Sequence, residues 1–397
     1  MSSTANPQFS FYEFFAGGGM ARAGLGSDWK CLFANDFDPK KAAIYGRNWE
    51  GDAMVVEDVG ALTTDQLPDR ADLAWGSFPC QDLSLAGVGA GLNGGRSGAF
   101  WPFWQLIQQL CREGRPPSMI VLENVCGALT SHGGRDFAAI ASALTDEGYL
   151  FGALTIDAAH FVPQSRPRLF VIAAQKTLVI PRKIAKSLSV EPLLSEDNPR
   201  QWFSQALIAT QARLPKALRD QWLWWRLPEP PRRNLTLEDV IQSVPEGVEW
   251  HDGAQTQRLL DLMSPTHKAK VEAASSMKRP VVGTLYKRTR MDGEGRRRQR
   301  AEVRFDNIAG CLRTPLGGSS RQTVLIVDGT TVRSRLLSPR EAARLMGLPD
   351  DYELPDNYNQ ACHLAGDGVV VPVVRHLARH IIEPVLDENR NASQQAA

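Results

Sequence analysis

A cysteine on a short, proline-containing stretch is the first side chain in this sequence that could do chemistry. Cys80 lies in the stretch GSFPCQ over 76–81, directly after an apolar run over 71–75 that predicts a buried strand. Pro79 fixes its own φ and biases the preceding residue toward extended geometry, so the direction of the thiol is constrained. A thiolate held in this way is suited to nucleophilic attack at one angle. The alternative is a buried, inert cysteine.

An acid and two arginines extend this set of reactive side chains. Glu123 follows the aliphatic run 119–122, which predicts a central parallel strand. A carboxylate at the end of such a strand is costly unless it has a task or a partner. Arg166 and Arg168 alternate along an extended segment, so we expect both to point the same way, toward an anion or a carboxylate. The alternative is a solvated surface pair.

A glycine-rich turn over 15–19 lies between a strand predicted over 10–15 and a helix that starts at Met20. Glycines let a ligand approach the backbone, and the N–H groups of a helix start face that ligand. The pattern therefore favours a nucleotide-type cofactor. It is not G-x-G-x-x-G, which argues against a dinucleotide. The alternative is an ordinary tight turn.

Two acids follow the next predicted strands. Asp36 lies 21 residues after Phe15, about the spacing at which an acid binds a ribose in such folds. The alternative for Asp36 is a cap of the helix predicted over 39–48, for which Asp38 is better placed. Asp58 follows another apolar run, so it could contact an adenine edge or simply end a strand.

The pattern up to residue 175 alternates strands and helices, which is typical of an α/β domain. Further strands are predicted over 31–34, 54–56, 155–157 and 169–173, and helices over 99–112 and 136–147. Residues 83–97 are rich in glycine and lack periodicity. A long loop beside a candidate nucleophile is typical of a lid.

Composition restricts the class of protein. At 397 residues, with 43% hydrophobic and 22% charged residues, the chain is expected to be a soluble globular protein of two domains. No apolar run is long enough to span a membrane, and the first residues do not have the pattern of a signal peptide. The six cysteines are scattered, which argues against a zinc site or disulfides and for a reducing compartment.

The alternation is lost after residue 176, which predicts a second domain. Three tryptophans over 222–225 are expected to pack in its core. Residues 278–304 hold ten Lys/Arg and three acids, which predicts a contact surface for phosphates; the alternative is a solvated cationic loop. The small-residue loop over 314–322 could also hold a phosphate.

Two features near the C-terminus are predicted from local signals. Ser338, Pro339 and Glu341 have the pattern of a capped helix start. A glycine loop over 364–371 leads into a helix predicted over 372–383. We interpret this as the chain returning to complete the cofactor domain.

Together these motifs resemble the DNA (cytosine-5)-methyltransferase family. The ordered set is FxGxG, the acid after the second strand, PCQ, ENV, QxRxR, the RE-containing helix and a C-terminal glycine loop. The resemblance covers about residues 10–175 and 305–385, and the segment between them corresponds in position to that family's variable target-recognition domain. It implies an α/β fold, namely the Rossmann-like sheet of S-adenosylmethionine-dependent methyltransferases with a second, smaller target-recognition domain.

The resemblance also implies roles for individual residues, with no metal. Cys80 would be the nucleophile and Glu123 would hold the N3 edge of cytosine, while Arg166 and Arg168 would orient the base and support the acid. The residues implied to line S-adenosylmethionine are Phe15, Ala16, Gly17, Gly19, Asp36, Phe37, Asp58, Val59, Pro79, Phe100, Asp367 and Val369. The residues implied to contact DNA are Gln81, Ser84, Gln164, Lys287, Arg288, Arg290, Thr314 and Arg321. Asp367 stands where the family commonly has Asn.

On this basis we expect an enzyme that flips a cytosine out of double-stranded DNA and methylates C5 through a covalent adduct. The predicted domains are 1–180 (catalytic and cofactor-binding), 181–335 (target recognition) and 336–397 (hinge helix and return). We expect a monomer in the cytoplasm, associated with the nucleoid, and a cognate restriction endonuclease is left open as a partner. The alternatives are an RNA cytosine-5 methyltransferase, a non-catalytic DNA-binding relative and, less well matched, an NAD-dependent oxidoreductase.

Overall fold

A computed structural model describes residues 7–51, 53–79, 99–187, 200–291, 293, 295–314 and 321–396. The chain divides into two compact units. The first comprises Met1–Asp157, Pro167–Pro230 and Val371–Ala397, and the second comprises Ala158–Arg166 and Pro231–Val370. Cys80, Gln81, Ser84 and the lid predicted over 83–97 lie outside the described residues. The assignment of catalysis and target recognition to particular ranges stays a prediction.

The first unit is built on a seven-stranded sheet. Numbered in chain order, its strands are β1 Phe9–Phe14, β2 Trp29–Asp36, β3 Met54–Val56, β4 Leu73–Gly76, β5 Met119–Val125, β6 Tyr149–Asp157 and β7 Pro167–Gln175, and a short pair is formed by β8 Ala185–Ser187 and β9 Leu223–Trp225. The helices are α1 Met20–Leu25, α2 Pro39–Asn48, α3 Phe100–Arg112, α4 Arg135–Asp146, α5 Gln205–Arg213 and α6 Lys216–Arg219. The helices predicted over 99–112 and 136–147 are therefore confirmed within one residue.

The strand order in the large sheet is β3-β2-β1-β4-β5-β7-β6. The first five strands run parallel, whereas β7 pairs antiparallel with both β5 and β6. The run 119–122, predicted as a central parallel strand, lies within β5, which is central and parallel to β4 but pairs antiparallel with β7 on its other side. The order reverses between β1 and β4, and ligands bind beyond the carboxyl ends of strands at such a switch point.

Helix starts follow the local signals in the sequence. Asp38 caps α2, and its Oδ1 accepts a hydrogen bond from the Lys40 N–H at 2.9 Å, as predicted. The three tryptophans over 222–225 are buried as predicted, but they lie in the first unit. The reason is that β9 adds to this unit beside β6, where Trp225 Nε1 donates to the Ile172 carbonyl at 3.1 Å.

The second unit contains a four-stranded antiparallel sheet. Its elements are α7 Leu237–Val240, α8 Gly253–Asp261, α9 Pro265–Ser275, β10 Val281–Met291, β11 Arg297–Arg304, β12 Thr323–Asp328, β13 Thr331–Leu336, α10 Pro339–Leu345 and α11 Tyr358–Asp367, with strand order β11-β10-β12-β13. A core of aliphatic side chains from α8, α9 and the sheet holds the unit together. The capping box predicted for α10 is confirmed, with Ser338 and Glu341 each accepting from the other's backbone N–H.

The C-terminal segment belongs to the first unit. It forms α12 Val371–Leu377, a π-helical turn over Ala378–Ile382 and α13 Glu383–Ala396. A Cβ on Gly24 of α1 would lie 2.7 Å from the Val371 carbonyl oxygen, so glycine permits this close helix contact. The glycine loop predicted from residue 364 is wrong at its start, because Leu364–Asp367 is the last turn of α11. No helix in the described ranges is long and apolar enough to cross a membrane.

Candidate active site

The predicted cofactor turn has an unusual backbone conformation. Phe15 has φ 57°, a left-handed value that is uncommon for a residue with a side chain, and Gly17 and Gly19 have φ 57° and 78°. A Cβ on Gly19 would overlap the indole of Trp49, whereas a Cβ on Gly17 would meet nothing within 4 Å. Trp49 Nε1 also donates to the Gly18 carbonyl at 3.1 Å. The turn therefore rests on Trp49 at one end and is open around Gly17.

Asp36 holds this turn from the end of β2. Its Oδ2 accepts from the Gly17 N–H at 2.9 Å and its Oδ1 accepts from the Asp38 N–H at 2.9 Å. Asp36 is buried, which raises the pKa of its carboxyl. Each carboxylate oxygen keeps a second acceptor position. Phe37 is 68% exposed beside it, so an acid that is fixed in direction lies next to an uncovered aromatic ring.

The other residues expected around the cofactor in this unit differ in exposure to solvent. Asp58 is exposed and caps a short 3-10 helix over Val59–Ala61, where its Oδ1 accepts from the Gly60 N–H at 2.8 Å. Ala16, Val59 and Phe100 are buried. Asp58 therefore follows the end of a strand, which was one of the two interpretations of its position. Its carboxylate is exposed, so it is also accessible to a ligand.

Sequence reasoning missed Glu13 in β1, whose side chain is 1% exposed. Its Oε1 accepts from the Arg22 N–H of α1 at 3.4 Å, and its Oε2 is buried without a hydrogen-bond partner. Burial raises the pKa of Glu13 to about 8. The N-cap of α1 is Gly19, which has no side chain, so Glu13 contacts the start of that helix from the strand below. A single acid in the otherwise non-acidic strand sequence FSFYEF was the available signal.

The backbone before Cys80 is held by a second residue that the sequence did not reveal. Asn124 follows Glu123 in β5, and its Nδ2 donates to the Phe78 carbonyl at 3.1 Å. The Phe78 ring packs against Phe100 with ring centroids 5.3 Å apart. The chain is thus tied to β5 and α3 two residues before Cys80, and Pro79 is the last described residue before it.

Glu123 and Arg168 form an ion pair at the end of the sheet. Arg168 Nε lies 3.2 Å from Glu123 Oε1, and both side chains are largely buried. The register explains this contact, because Val125 is the direct partner of Arg168, and Glu123 lies two residues before Val125 on the same face. The predicted support of this acid by an arginine is therefore seen for Arg168.

Arg166 belongs to the second unit. It is 2% exposed, and its guanidinium donates to the carbonyls of Leu312, Gly366 and Gly368 at 2.7–2.9 Å. These hydrogen bonds of Arg166 go to carbonyl oxygens and not to the anion or carboxylate expected for it. The expectation that Arg166 and Arg168 point the same way stays a prediction. The described contacts of Arg166 join backbone segments of the second unit.

Gln164 is also a structural residue in the second unit. It is fully buried, its Nε2 donates to the Leu345 carbonyl at 2.8 Å, and its Oε1 accepts from the Leu312 N–H at 3.0 Å. A side chain buried in this way is not exposed to DNA, so its placement argues against the predicted DNA contact.

The remaining DNA and cofactor predictions in the second unit fall on two segments. Lys287, Arg288 and Arg290 lie on β10, where the basic run forms a hairpin with β11 rather than a loop. Arg321 is exposed and its guanidinium lies over the Tyr358 ring, while Thr314 is half-buried. Asp367 is exposed at the end of α11 and Val369 is buried. Their functional roles stay predictions.

A second thiol lies near the ion pair. Cys126 follows β5 and is close enough for the charges of Glu123 and Arg168 to act on it, and burial raises its pKa to about 11. It is therefore a poor nucleophile at neutral pH. Within the described residues, no group of three or more His, Cys, Asp or Glu side chains could hold a metal ion.

Comparison with known proteins identifies the family. Residues 9–383 match the family C-5 cytosine-specific DNA methylase. This chain belongs to that family. Its enzyme class is DNA (cytosine-5-)-methyltransferase, and family membership implies DNA as its substrate.

Individual relatives are distant in sequence but similar over their full length. The chain is 23% identical to the type II methyltransferase M.HhaI of Haemophilus parahaemolyticus, covering 94% of this chain and 93% of that protein. It is 24% identical to M.HpaII of Haemophilus parainfluenzae, with coverage of 95% and 90%. Among solved structures, a putative DNA modification methyltransferase encoded within an E. coli prophage shares the fold with a TM-score of 0.56, 15% identity and coverage of 96% and 99%. S. pombe Dnmt2 methyltransferase shares it with a TM-score of 0.54, 16% identity and coverage of 95% and 99%.

Proposed function

We propose that this methyltransferase uses S-adenosylmethionine as methyl donor and acts through a covalent bond between Cys80 and C6 of a cytosine flipped out of duplex DNA. The observation that carries the proposal is the arrangement of β4 and β5. Asn124 fixes the backbone that leads to Cys80, and its neighbour Glu123 is paired with Arg168 at the same strand end. A nucleophile and a carboxyl group would thus be supplied to one substrate by adjacent strands.

The residues around the glycine turn fit an adenosyl cofactor. The open space around Gly17 permits close approach to the backbone, the remaining acceptor positions of Asp36 suit a ribose diol, and the exposed Phe37 ring suits stacking on a base. The exposed Asp58 carboxylate could accept from an amino group. When bound, S-adenosylmethionine supplies an activated methyl group.

The proposed chemistry follows from the weak nucleophilicity of C5. The Cys80 thiolate adds to C6 and forms an S–C bond, and the electron pair displaced from the C5–C6 double bond makes C5 nucleophilic. Glu123, protonated against N3, would withdraw electron density from the ring, and Arg168 would hold Glu123 in direction. C5 would then take up the methyl group as the bond between that methyl and the donor's sulfonium sulfur breaks, which leaves S-adenosylhomocysteine. A base would remove the C5 proton, the C5–C6 double bond would re-form and the thiolate would leave. Flipping the target base out of the stack costs a few kcal/mol.

Trapping with a 5-fluorocytosine duplex tests the covalent step, because the fluorine at C5 cannot leave as a proton does. With S-adenosylmethionine present, we expect a covalent protein–DNA adduct that maps to Cys80. Cys80→Ala should form no adduct and should retain less than about one part in a thousand of the transfer rate, while DNA binding remains. Cys126→Ala is the matched control and should still be trapped. Absence of an adduct in the unmodified protein would contradict the proposal.

The substrate and cofactor are tested separately. Methyl transfer from labelled cofactor should enter duplex DNA and not tRNA; transfer into tRNA alone would favour the RNA alternative. Isothermal titration should detect binding of S-adenosylhomocysteine and not of NADH.

We further propose a role in a restriction–modification system, because the similar proteins are named type II methyltransferases. We propose that the enzyme is a monomer and works on nucleoid DNA in the cytoplasm. A cognate restriction endonuclease would be sought by testing whether methylated DNA resists cleavage by extracts of the source cells.

A further inference from the structure

Two buried carboxylates hold the cofactor turn and the helix start that follows it. Asp36 Oδ2 accepts from the Gly17 N–H at 2.9 Å, and Glu13 Oε1 accepts from the Arg22 N–H in the first turn of α1 at 3.4 Å. Glu13 lies directly beside Ala34 in the sheet, and Asp36 is two residues beyond Ala34 on the same strand. Residues two apart on a strand share a face, so both acids act on the segment 17–22 from one side of the sheet.

Titratable and charged side chains act on Glu13 from three neighbouring elements, namely Arg22 of α1, Cys31 and Asp36 of β2, and Tyr45 of α2. The Arg22 guanidinium donates to the Tyr45 hydroxyl at 3.1 Å, and Cys31 Sγ lies 3.4 Å from the same hydroxyl. Burial raises the pKa of Cys31 to about 11 and that of Tyr45 above its usual range, so both stay neutral near pH 7. Burial raises the pKa of Glu13 only to about 8, so its charge can change near neutral pH.

The structural contact of Glu13 does not require a charge. A neutral acceptor would satisfy the Arg22 N–H as well, whereas an ionised carboxylate is costly to bury unless it is paired. Oε2 of Glu13 is buried, and no hydrogen-bond partner for it is found in the described part of the chain. A buried polar group of this kind calls for an explanation. A ligand that brings positive charge to the turn would provide one, because its attraction would favour the ionised form of Glu13.

We propose that Glu13 makes the turn selective for the positively charged methyl donor over its neutral product. Taking S-adenosylmethionine as the donor rests on the proposed function. Its sulfonium sulfur carries one positive charge, and loss of the methyl group to C5 leaves the neutral thioether of S-adenosylhomocysteine. Ionised Glu13 stabilises the first and not the second, so donor binding releases the Glu13 proton to solvent. Methyl transfer removes the attraction, and the product leaves more readily.

This selectivity does not require contact between Glu13 and the donor. Two unit charges about 10 Å apart, at an effective dielectric constant of about 20, change a binding constant by roughly tenfold. Glu13 is 1% exposed and lies four residues before Gly17, so solvent screens its charge little. Glu13 is therefore a specificity-determining residue that acts through its charge, in addition to its backbone contact with α1.

Isothermal titration of the full chain with each ligand, without DNA, tests the selectivity. The affinity for S-adenosylmethionine divided by that for S-adenosylhomocysteine would be measured from about pH 6 to pH 9. Both ligands have the same adenosine and amino-acid ends, so titration of those groups largely cancels in the ratio. We expect the ratio to rise about fivefold or more with pH, because Glu13 is protonated at the lower limit and ionised at the upper limit.

Three variants separate the charge of Glu13 from its structural contact. Glu13→Gln keeps an acceptor for the Arg22 N–H but cannot ionise, so its ratio should stay constant with pH at the value that the unmodified protein has near pH 6. Glu13→Asp keeps an ionisable group and should keep a rise. Asp28→Asn is the control, since it removes an exposed carboxylate at the opposite end of β2 from Asp36, and it should keep the full rise.

A second measurement needs no variant. Titrations near pH 8 in two buffers with different heats of ionisation count the protons released on binding, and the donor should release more than the product. Equal release for both ligands, a ratio that is constant with pH in the unmodified protein, or an undiminished rise in Glu13→Gln would overturn the proposed selectivity. Binding of both ligands at a constant ratio would leave the proposed cofactor intact, whereas failure of both to bind would overturn the cofactor as well.

Discussion

The glycine turn of the first unit and the basic hairpin of the second unit hold their charges in opposite ways. Around the turn, Glu13 and Asp36 are buried and contact backbone N–H groups of the same unit. On the hairpin, Arg290 and Arg298 are exposed and lie directly opposite each other on neighbouring strands. A turn whose polar groups are already fixed is suited to a small ligand of defined shape, whereas exposed like charges are suited to a repeating polyanion. Changes to the buried groups should therefore have large effects, and changes to the exposed charges should have small effects.

The largest expected effect is on activity at the Glu123–Arg168 pair. Glu123→Gln keeps the size of the side chain and can still donate a hydrogen bond to N3, but its amide cannot transfer a proton as a carboxylic acid does, so we expect the rate of methyl transfer to fall by about 10²–10⁴-fold. Arg168→Lys should give a smaller loss, because it keeps the charge but not the geometry of the guanidinium. Single-turnover transfer to duplex DNA would be compared with the melting temperature. A Glu123→Gln enzyme with nearly full activity would contradict the proposed role.

The next largest expected effect is a loss of stability when glycines of the cofactor turn are replaced, and Gly17 and Gly19 form a matched pair for this test. Gly17→Ala requires only a left-handed backbone for alanine, which costs about 1–2 kcal/mol. Gly19→Ala requires the same conformation and also displaces Trp49 and Tyr45, since its Cβ would lie 2.9 Å from Tyr45 Cε2. We expect it to cost about 1–3 kcal/mol more. Thermal unfolding without cofactor would measure both, and equal losses would mean that the contact with Trp49 does not restrict the turn.

The buried acid of β1 should make stability depend on pH. Its pKa is about 8 in the folded protein and 4.5 when exposed, so the folded state binds a proton more tightly. Glu13 therefore favours folding most at low pH, and this contribution is lost as pH rises from about 4.5 to 8. Glu13→Gln has no group at this position that can ionise. The free energy of unfolding of this variant, relative to that of the unmodified protein, should therefore rise by on the order of a few kcal/mol over this pH range.

The free energy of unfolding would be measured by urea unfolding at about pH 5, 7 and 9. The contribution of Glu13 is the change with pH in the difference between the unmodified protein and Glu13→Gln. Asp28→Asn, which removes an exposed carboxylate of the same unit, is the control for the loss of a negative charge. Parallel profiles for Glu13→Gln would show that the acid is solvated or paired in the folded state.

The features that could be predicted from the sequence are local ones. Asp38 and Ser338 each cap a helix whose N–H groups lie two or three residues away, so composition and spacing were sufficient. Asn124 and Glu13 could not be assigned, because their partners lie 46 and 9 residues away and depend on how strands and helices pack. The contacts of Arg166 could not be predicted for the same reason, since its guanidinium binds carbonyls up to 202 residues away.

For the basic run too, the sequence predicted the charge but not the partners that the fold places beside it. Its charge was evident from the sequence, but a slip of one residue in the pairing would move Arg298 and Arg300 to the other face. The sequence therefore predicted a phosphate-binding surface and the three β10 cations, while the placement of Arg298 and Arg300 opposite Arg290 and Arg288 required the observed register of β10 against β11. Residues whose role depends on a partner strand are visible only after the fold is known.

The smallest expected effect has the opposite sign. Arg300→Thr removes the repulsion with Arg288 and places a residue with high strand propensity on an exposed strand, so it should stabilise the protein by about 0.2–1 kcal/mol at low salt. The gain should shrink as salt is added, because exposed charges are screened within about 10 Å at 0.1 M ionic strength. Arg297→Thr lies opposite Met291 and should give no gain. The urea midpoint at low and high salt would measure this. A loss of stability in Arg300→Thr would contradict repulsion between Arg288 and Arg300 as the basis of this prediction.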